Sequence, residues 1–199
     1  MTPTDYTLDR SASPNQRYDA LTQAIHWLSL VAIATAFVIG LLLEDMPRGP
    51  GKTQLINLHA PLGVLLLGLT AFRLSWRTFV LAPAPPGSPL LQLAGKAMHL
   101  TLYAVMLAVP ISGILMMSAK GHSFDVFGLF TVSPLMAIDR AFGESLEEAH
   151  ELLSYLMLIL VGLHAAAAVL HQAILKDGTL ARMLPFGRTS SRIRKEDSA

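Results

Sequence analysis

Residues 148–175 read EAHELLSYLMLILVGLHAAAAVLHQAIL, and this stretch decides the fold. From 152 to 175 it holds no Asp, Glu, Lys or Arg. That exceeds the roughly 20 apolar residues that carry a helix across a bilayer. His164 and His171 stand inside it, and His150 stands at its mouth. Ionisable side chains at membrane depth are costly, so they face a bundle interior and mark function. His150 and His164 are fourteen residues apart. On a helix that spacing returns to within about 40° of the same face and separates the rings by roughly 21 Å along the axis.

Three further windows share this character: 20–43, 53–72 and 97–119 are also free of Asp, Glu, Lys and Arg. Together they predict an all-α membrane protein, a four-transmembrane-helix bundle with spans at about 20–43, 53–74, 97–119 and 148–175. The segment 78–95 also lacks acids and bases, but Pro83, Pro85, Pro86, Gly87 and Pro89 predict a surface loop there. The whole chain of 199 residues is 52% hydrophobic and 15% charged, with mean hydropathy +0.48. Soluble domains average about 25% charged residues, so composition points the same way. The net charge of +1 gives no reason to expect nucleic acid as a partner. Cysteine is absent, which excludes disulfides, iron–sulfur clusters, thiolate metal sites and covalently attached haem.

Basic residues set the expected orientation. An even number of spans puts both ends on one side, with the second connection. That side holds Arg10, Arg17, Arg73, Arg77, Lys96, Lys176, Arg182, Arg188, Arg192, Arg194 and Lys195. The other holds Arg48, Lys52, Lys120 and Arg140, diluted by acids such as Glu44, Asp45 and the run from Asp125 to Glu151. Both termini of this multi-pass membrane protein are therefore expected in the cytoplasm. Residues 1–16 and 188–199 read as flexible tails around a domain at 17–187. The first span reads as an uncleaved anchor. Within the long connection 118–147, residues 133–142 suggest a short amphipathic segment.

The histidines are the chemical inventory. His26, His59, His99, His164 and His171 fall in the windows, and His150 at the edge of one. A single such residue is as readily a hydrogen-bonded packing residue, but their clustering argues for ligands. Two ligands of one mononuclear site cannot lie 21 Å apart along one helix, whereas two haems stacked across a bilayer require about that separation. Depth pairs His59 with His150 at the outer side. It pairs His164 with either His26 or His99 at the inner side. His171, seven residues beyond His164, lies about 10 Å nearer the cytoplasm. It suits either a snorkelling imidazole or a proton-accepting contact for a quinone headgroup. His122 reads as a solvated loop residue. The pair Met116–Met117 offers an axial ligand in principle but reads as packing, and the small residues Gly63, Gly68, Gly113, Gly162 and 165–168 are explained by helix packing, or by room for a porphyrin face.

The stretches AIHW (24–27), LINLHAPLG (55–63), HLTLYAVMLAVPISGILMM (99–117), KGHSFDVFGL (120–129) and GLHAAAAVLHQAILKDGTLARMLP (162–185) resemble the bacterial cytochrome b-561 family. The likeness is greatest to its small diheme, quinone-linked members, the superoxide oxidases, and covers roughly 17–187. It implies two haem b groups. His26 and His164 would hold the inner iron, and His59 and His150 the outer one, which chooses His26 over His99. It places His171 near the quinone and Lys120 at a basic position facing superoxide. The second connection departs from the family in being rich in Pro and Gly rather than lysine.

The function so implied is that of a superoxide:ubiquinone oxidoreductase. Superoxide gives electrons at the outer face, and ubiquinone accepts them with protons near the cytoplasmic face. Arg48, Lys52 and Arg140 are candidate helpers of Lys120 in attracting an anionic substrate. An alternative is a membrane anchor relaying electrons between quinone and a dehydrogenase, hydrogenase or other periplasmic or membrane redox partner. A third is a non-redox metal or proton transporter.

Overall fold

The structure is a computed structural model, and it describes residues 17–80, 83 and 87–185. The expected tails, Pro85 and Pro86 lie outside the described residues. Four long helices run in order: α1 (Ala20–Asp45), α2 (Pro50–Phe79), α3 (Pro89–Ala119) and α4 (Arg140–Leu170). α4 closes in a π turn, His171–Leu175. All four are long and apolar enough to cross a membrane. The shortest has 26 residues, about 39 Å at 1.5 Å per residue against a hydrocarbon core of about 30 Å.

The helix starts are locally encoded. Asp19 caps α1 by accepting from the Thr22 N–H at 2.9 Å, and Asp139 caps α4 by accepting from the Phe142 N–H at 3.0 Å. Such oxygens satisfy N–H groups that have no helical partner. Pro50 and Pro89 open α2 and α3, where the missing proline N–H is not needed. The segment 78–95 is therefore a loop only in its middle. α2 continues through Phe79 and α3 begins at Pro89, longer than the expected spans 53–74 and 97–119.

The fold is mostly helical rather than wholly so. Strands β1 (Phe124–Val126) and β2 (Phe130–Val132) form an antiparallel hairpin between α3 and α4. Its turn uses left-handed backbone at Phe127 and Gly128, and the Asp125 carboxylate accepts from the Gly128 N–H. The amphipathic segment expected at 133–142 does not form. Residues 133–139 are irregular, and Arg140 already begins α4. The Asp139 cap fixes that boundary.

Consecutive helices pack on one another: α1 on α2, α2 on α3, and α3 on α4. The backbones of α1 and α4 stay further apart and meet through rings. Phe37 and Tyr155 have centroids 5.8 Å apart, and His26 and His164 6.3 Å. The mid-bundle core is Ala32, Ile33, Ala36, Leu66, Val105, Met106, Val109 and Met157. Outward positions such as Val31, Val38, Leu100 and Ile159 are exposed, as lipid contact requires. Gly63 approaches Pro110 across the α2–α3 contact, where an added Cβ would lie 3.8 Å from the proline Cβ.

At one end of the bundle, residues 176–185 fold back over the start of α1. The Trp27 indole donates to the Met183 carbonyl at 2.9 Å. The Gln23 amide donates to the Arg182 carbonyl at 3.1 Å, and Arg17 donates to the Leu184 carbonyl. This is the terminal end; the hairpin marks the other.

Candidate functional site

The histidines form two tiers on either side of the apolar core. Toward the hairpin end, His59 of α2 and His150 of α4 have ring centroids 6.1 Å apart at an interplanar angle of 78°. Toward the terminal end, His26 of α1 and His164 of α4 stand 6.3 Å apart at 69°. His99 of α3 is close to His164 as well, with centroids 5.3 Å apart. Met157, midway in sequence between His150 and His164, is buried in the core between the tiers.

Fourteen-residue spacing organises all four helices, not α4 alone. His26 and Gly40 share a face of α1, His59 and Arg73 a face of α2, and His99 and Gly113 a face of α3. The hairpin-end tier thus has histidines on two helices and glycines on the other two. A Cβ at Gly113 would lie 3.1 Å from His150 Cε1, and one at Gly40 would lie 3.6 Å from His59 Cε1. The glycines keep side chains away from the ring edges.

The His150 ring is held in place by α3. Its Nδ1–H donates to the Val109 carbonyl at 2.9 Å, with Ser112 Oγ 3.1 Å away. A carbonyl can only accept, so the proton sits at Nδ1 and Nε2 is left with an open lone pair. His59 differs: its buried Nδ1 has no hydrogen-bond partner.

The terminal-end tier contains an arginine. Arg73 donates from Nη2 to His26 Nδ1 at 3.1 Å and lies over the Tyr103 ring, 5.7 Å from its centroid. Charge counting had assigned Arg73 only to the cytoplasmic basic set. Its position fourteen residues after His59 was the signal that it shares the histidine face.

The fit to haem can be tested on these distances. Two imidazoles on opposite sides of one metal, each bond about 2.0 Å, put ring centroids roughly 6 Å apart. The His59–His150 and His26–His164 pairs meet that spacing, and His99–His164 is shorter. Among the described residues no group of three or more His, Cys, Asp or Glu is placed to hold a metal ion. Paired imidazoles suit a metal whose other four ligands come from a macrocycle. A cavity of about 950 Å³ runs along the hairpin-end tier past His59, His150, Gly40, Gly63, Gly113 and Met157. The residues fit.

The glycine gives a sharp test. Gly113→Val places branched methyls where the His150 ring lies, and that ring is fixed by Val109. The variant is expected to keep the terminal-end haem and lose most of the other, roughly halving haem per chain. Haem content that stays unchanged in purified Gly113→Val would show that the glycine does not shape the site.

The cavity mouth is a mixed-charge surface. Arg48, Lys52, Lys120 and Arg140 line it together with Glu44, Glu144, Glu147 and Glu151. Lys120 is paired with Glu147 at 2.5 Å. His122 is exposed and also lines the mouth. His171 belongs to neither tier. Its Nδ1 meets the Asp177 carboxylate at 2.6 Å.

A model of the prokaryotic cytochrome b561 family matches residues 17–186. "Cytochrome b561 homolog 2" of Escherichia coli (strain K12) is 35% identical over 182 residues, covering 88% of this chain and 94% of the relative. "Probable superoxide oxidase CybB" of Yersinia pestis is 31% identical over 176 residues, covering 87% and 99%. "Cytochrome b561 homolog 1" of Escherichia coli (strain K12) is 30% identical over 164 residues, covering 81% and 93%. Paired intramembrane imidazoles and these matches lead to one conclusion: the chain belongs to the prokaryotic cytochrome b561 family and is a membrane cytochrome of the b type.

Proposed function

We propose that the protein is a diheme superoxide oxidase, passing electrons from superoxide at the outer face to ubiquinone near the cytoplasmic face. The observation that carries this is the pair of imidazole pairs, 6.1 and 6.3 Å across, separated by a Met157-centred apolar layer. His59 and His150 hold the outer haem b, and His26 and His164 the inner one. The excess of basic side chains at the terminal end supports a cytoplasmic side for both termini and a periplasmic one for the hairpin. The Yersinia pestis relative named a probable superoxide oxidase supports the choice of donor.

Bound haem supplies reversible one-electron carriage. The chain does the rest. Val109 and Ser112 fix the His150 ring, Gly113 leaves space beside it and Gly40 beside His59, and the apolar core excludes water between the tiers. Arg73 adds a buried cation beside the inner pair. A ring that held iron through Nε2 would carry its proton at Nδ1, so His26 would then lose the hydrogen bond it accepts here from Arg73. At the cytoplasmic edge, His171 faces the quinone and handles the proton that accompanies each electron.

The mixed charge of the outer mouth sets the kinetics with superoxide. Lys120 already lies against Glu147, so part of its attraction is cancelled. Lys120→Glu is expected to slow reduction of the haems by superoxide several-fold at low salt, and Glu147→Gln to accelerate it, with added salt compressing both changes. Haem content stays constant. Stopped-flow traces that coincide for all three proteins at low ionic strength would remove Lys120 from the encounter.

The reading as a whole is tested with purified, haem-loaded protein given superoxide and a short-chain ubiquinone. Superoxide-dependent quinone reduction with release of dioxygen is expected. Haem that is reduced only by an added partner dehydrogenase or hydrogenase would identify an electron-relay anchor instead.

A further inference from the structure

The last turn of α4 builds a carboxylate–imidazole pair that the two haem tiers do not use. At His171 the helix widens into a π turn, and the His171 carbonyl accepts from the Lys176 N–H. Lys176 then takes left-handed backbone, φ 53°. The chain therefore doubles back, and the Asp177 N–H points at the same carbonyl at 3.4 Å. This reversal lays the Asp177 side chain over the ring of His171, with Oδ2 2.6 Å from Nδ1. The other oxygen, Oδ1, accepts from the Thr179 N–H at 3.0 Å and from Thr179 Oγ at 2.6 Å. Both side chains are largely shielded, with exposures of 22% for His171 and 16% for Asp177.

We propose that Asp177 is the positioning residue of the quinone site, holding the Nδ1–H of His171 so that Nε2 is presented to the quinone oxygen. This rests on the reading of His171 as the quinone contact. The observation is that one carboxylate oxygen is fixed by Thr179 while the other is committed to the imidazole.

The chemistry follows from the donor set. A carboxylate on Nδ1 fixes ring orientation and stabilises the charged imidazolium, which carries a second N–H at Nε2. Burial acts to raise the Asp177 carboxyl, but the hydrogen bonds from Thr179 and His171 outweigh it and hold the group below the usual carboxylate range. Asp177 is thus an anion at neutral pH and does not itself take the proton. Reduction of a quinone to a quinol consumes two electrons and two protons. Two superoxide anions supply the electrons, each leaving as dioxygen. Imidazolium His171 breaks its Nε2–H bond, and a new O–H bond forms on the quinone oxygen. The neutral ring keeps its Nδ1–H on Asp177 and is reprotonated from water at the membrane edge, while the second proton reaches the other quinone oxygen from water.

The test uses the full-length, haem-loaded protein with decylubiquinone as acceptor, comparing Asp177→Asn, His171→Gln and the double variant. Asp177→Asn is expected to lower kcat by about 10- to 100-fold with little change in KM. Haem content and the rate of haem reduction by superoxide stay at wild-type values. The double variant is expected to be no slower than His171→Gln, because a residue that acts through another loses its effect once that other is gone. Losses that multiply in the double variant, or Asp177→Asn at wild-type speed beside a slow His171→Gln, overturn the role of Asp177 alone. His171→Gln at wild-type speed overturns the quinone reading beneath it. Should Asp177→Asn lose haem, Thr179→Ala decides. It keeps the carboxylate and the backbone hydrogen bond to Oδ1 but removes the hydroxyl one, and a several-fold fall in kcat with intact haem is expected; unchanged kcat overturns the proposal.

Discussion

His150→Ala is expected to leave about one haem per chain where the wild type binds about two, with the inner haem spectrum intact. A bis-histidine site loses one of its two protein bonds to iron in this variant, and nothing nearby replaces it. Ser112 and Val109, which position the ring, offer only a hydroxyl and a carbonyl. His59→Ala should give the same species, because in the proposed assignment the two rings share one iron. His26→Ala and His164→Ala should remove the other haem. His99 makes the inner site the more revealing one, since its ring lies 5.3 Å from His164. That is closer than two imidazoles on opposite sides of one metal would stand, so His99→Ala is expected to retain both haems. Pyridine-haemochrome assay of each purified variant checks this. Loss of a haem in His99→Ala, with both retained in His26→Ala, would reverse the inner assignment.

His171→Leu is expected to separate the two half-reactions. Superoxide still reduces both haems at the wild-type rate, while steady-state reduction of ubiquinone falls by about 100-fold or more. The ring lies one heptad beyond His164 and is engaged with Asp177, so removing it leaves every proposed iron ligand in place. Leucine keeps the apolar volume at the membrane edge but can neither hold nor pass a proton. Stopped-flow reduction by superoxide and a turnover assay with ubiquinone measure the two halves separately. Unchanged turnover would move the quinone elsewhere, first toward His99 and Lys96 on α3.

The helices and the tiers were legible in the sequence for a physical reason. A membrane span must be apolar almost throughout, so each histidine within one stands out against its surroundings. The interval from His150 to His164 then fixes both a face and a depth. The same interval links His26 to Gly40, His59 to Arg73 and His99 to Gly113. Those partners were passed over because a glycine reads as packing, and an arginine near a span end reads as a topological charge. Only the side-chain geometry shows Gly113 beneath the His150 ring and Arg73 against His26.

The misses share a cause. Proline density at 83–89 was read as a helix breaker throughout, yet Pro89 sits where a helix tolerates it, and α3 starts there. The hairpin at 124–132 depends on left-handed backbone at Phe127 and Gly128; of these, an aromatic residue gives no composition signal. The π turn that brings Asp177 back to His171 adds one residue to the helical repeat, and apolar periodicity cannot register that. Lys120 lines the cavity mouth, and its pairing with Glu147 joins residues far apart in the chain.

The most direct test of the central claim is the haem content of the purified wild-type protein, read by pyridine haemochrome together with a dithionite-reduced minus oxidised spectrum. Two imidazole pairs at haem-spanning distance predict about two b-type haems per chain, both six-coordinate and low-spin. A ratio near one, or a protein with no Soret band, would contradict the account.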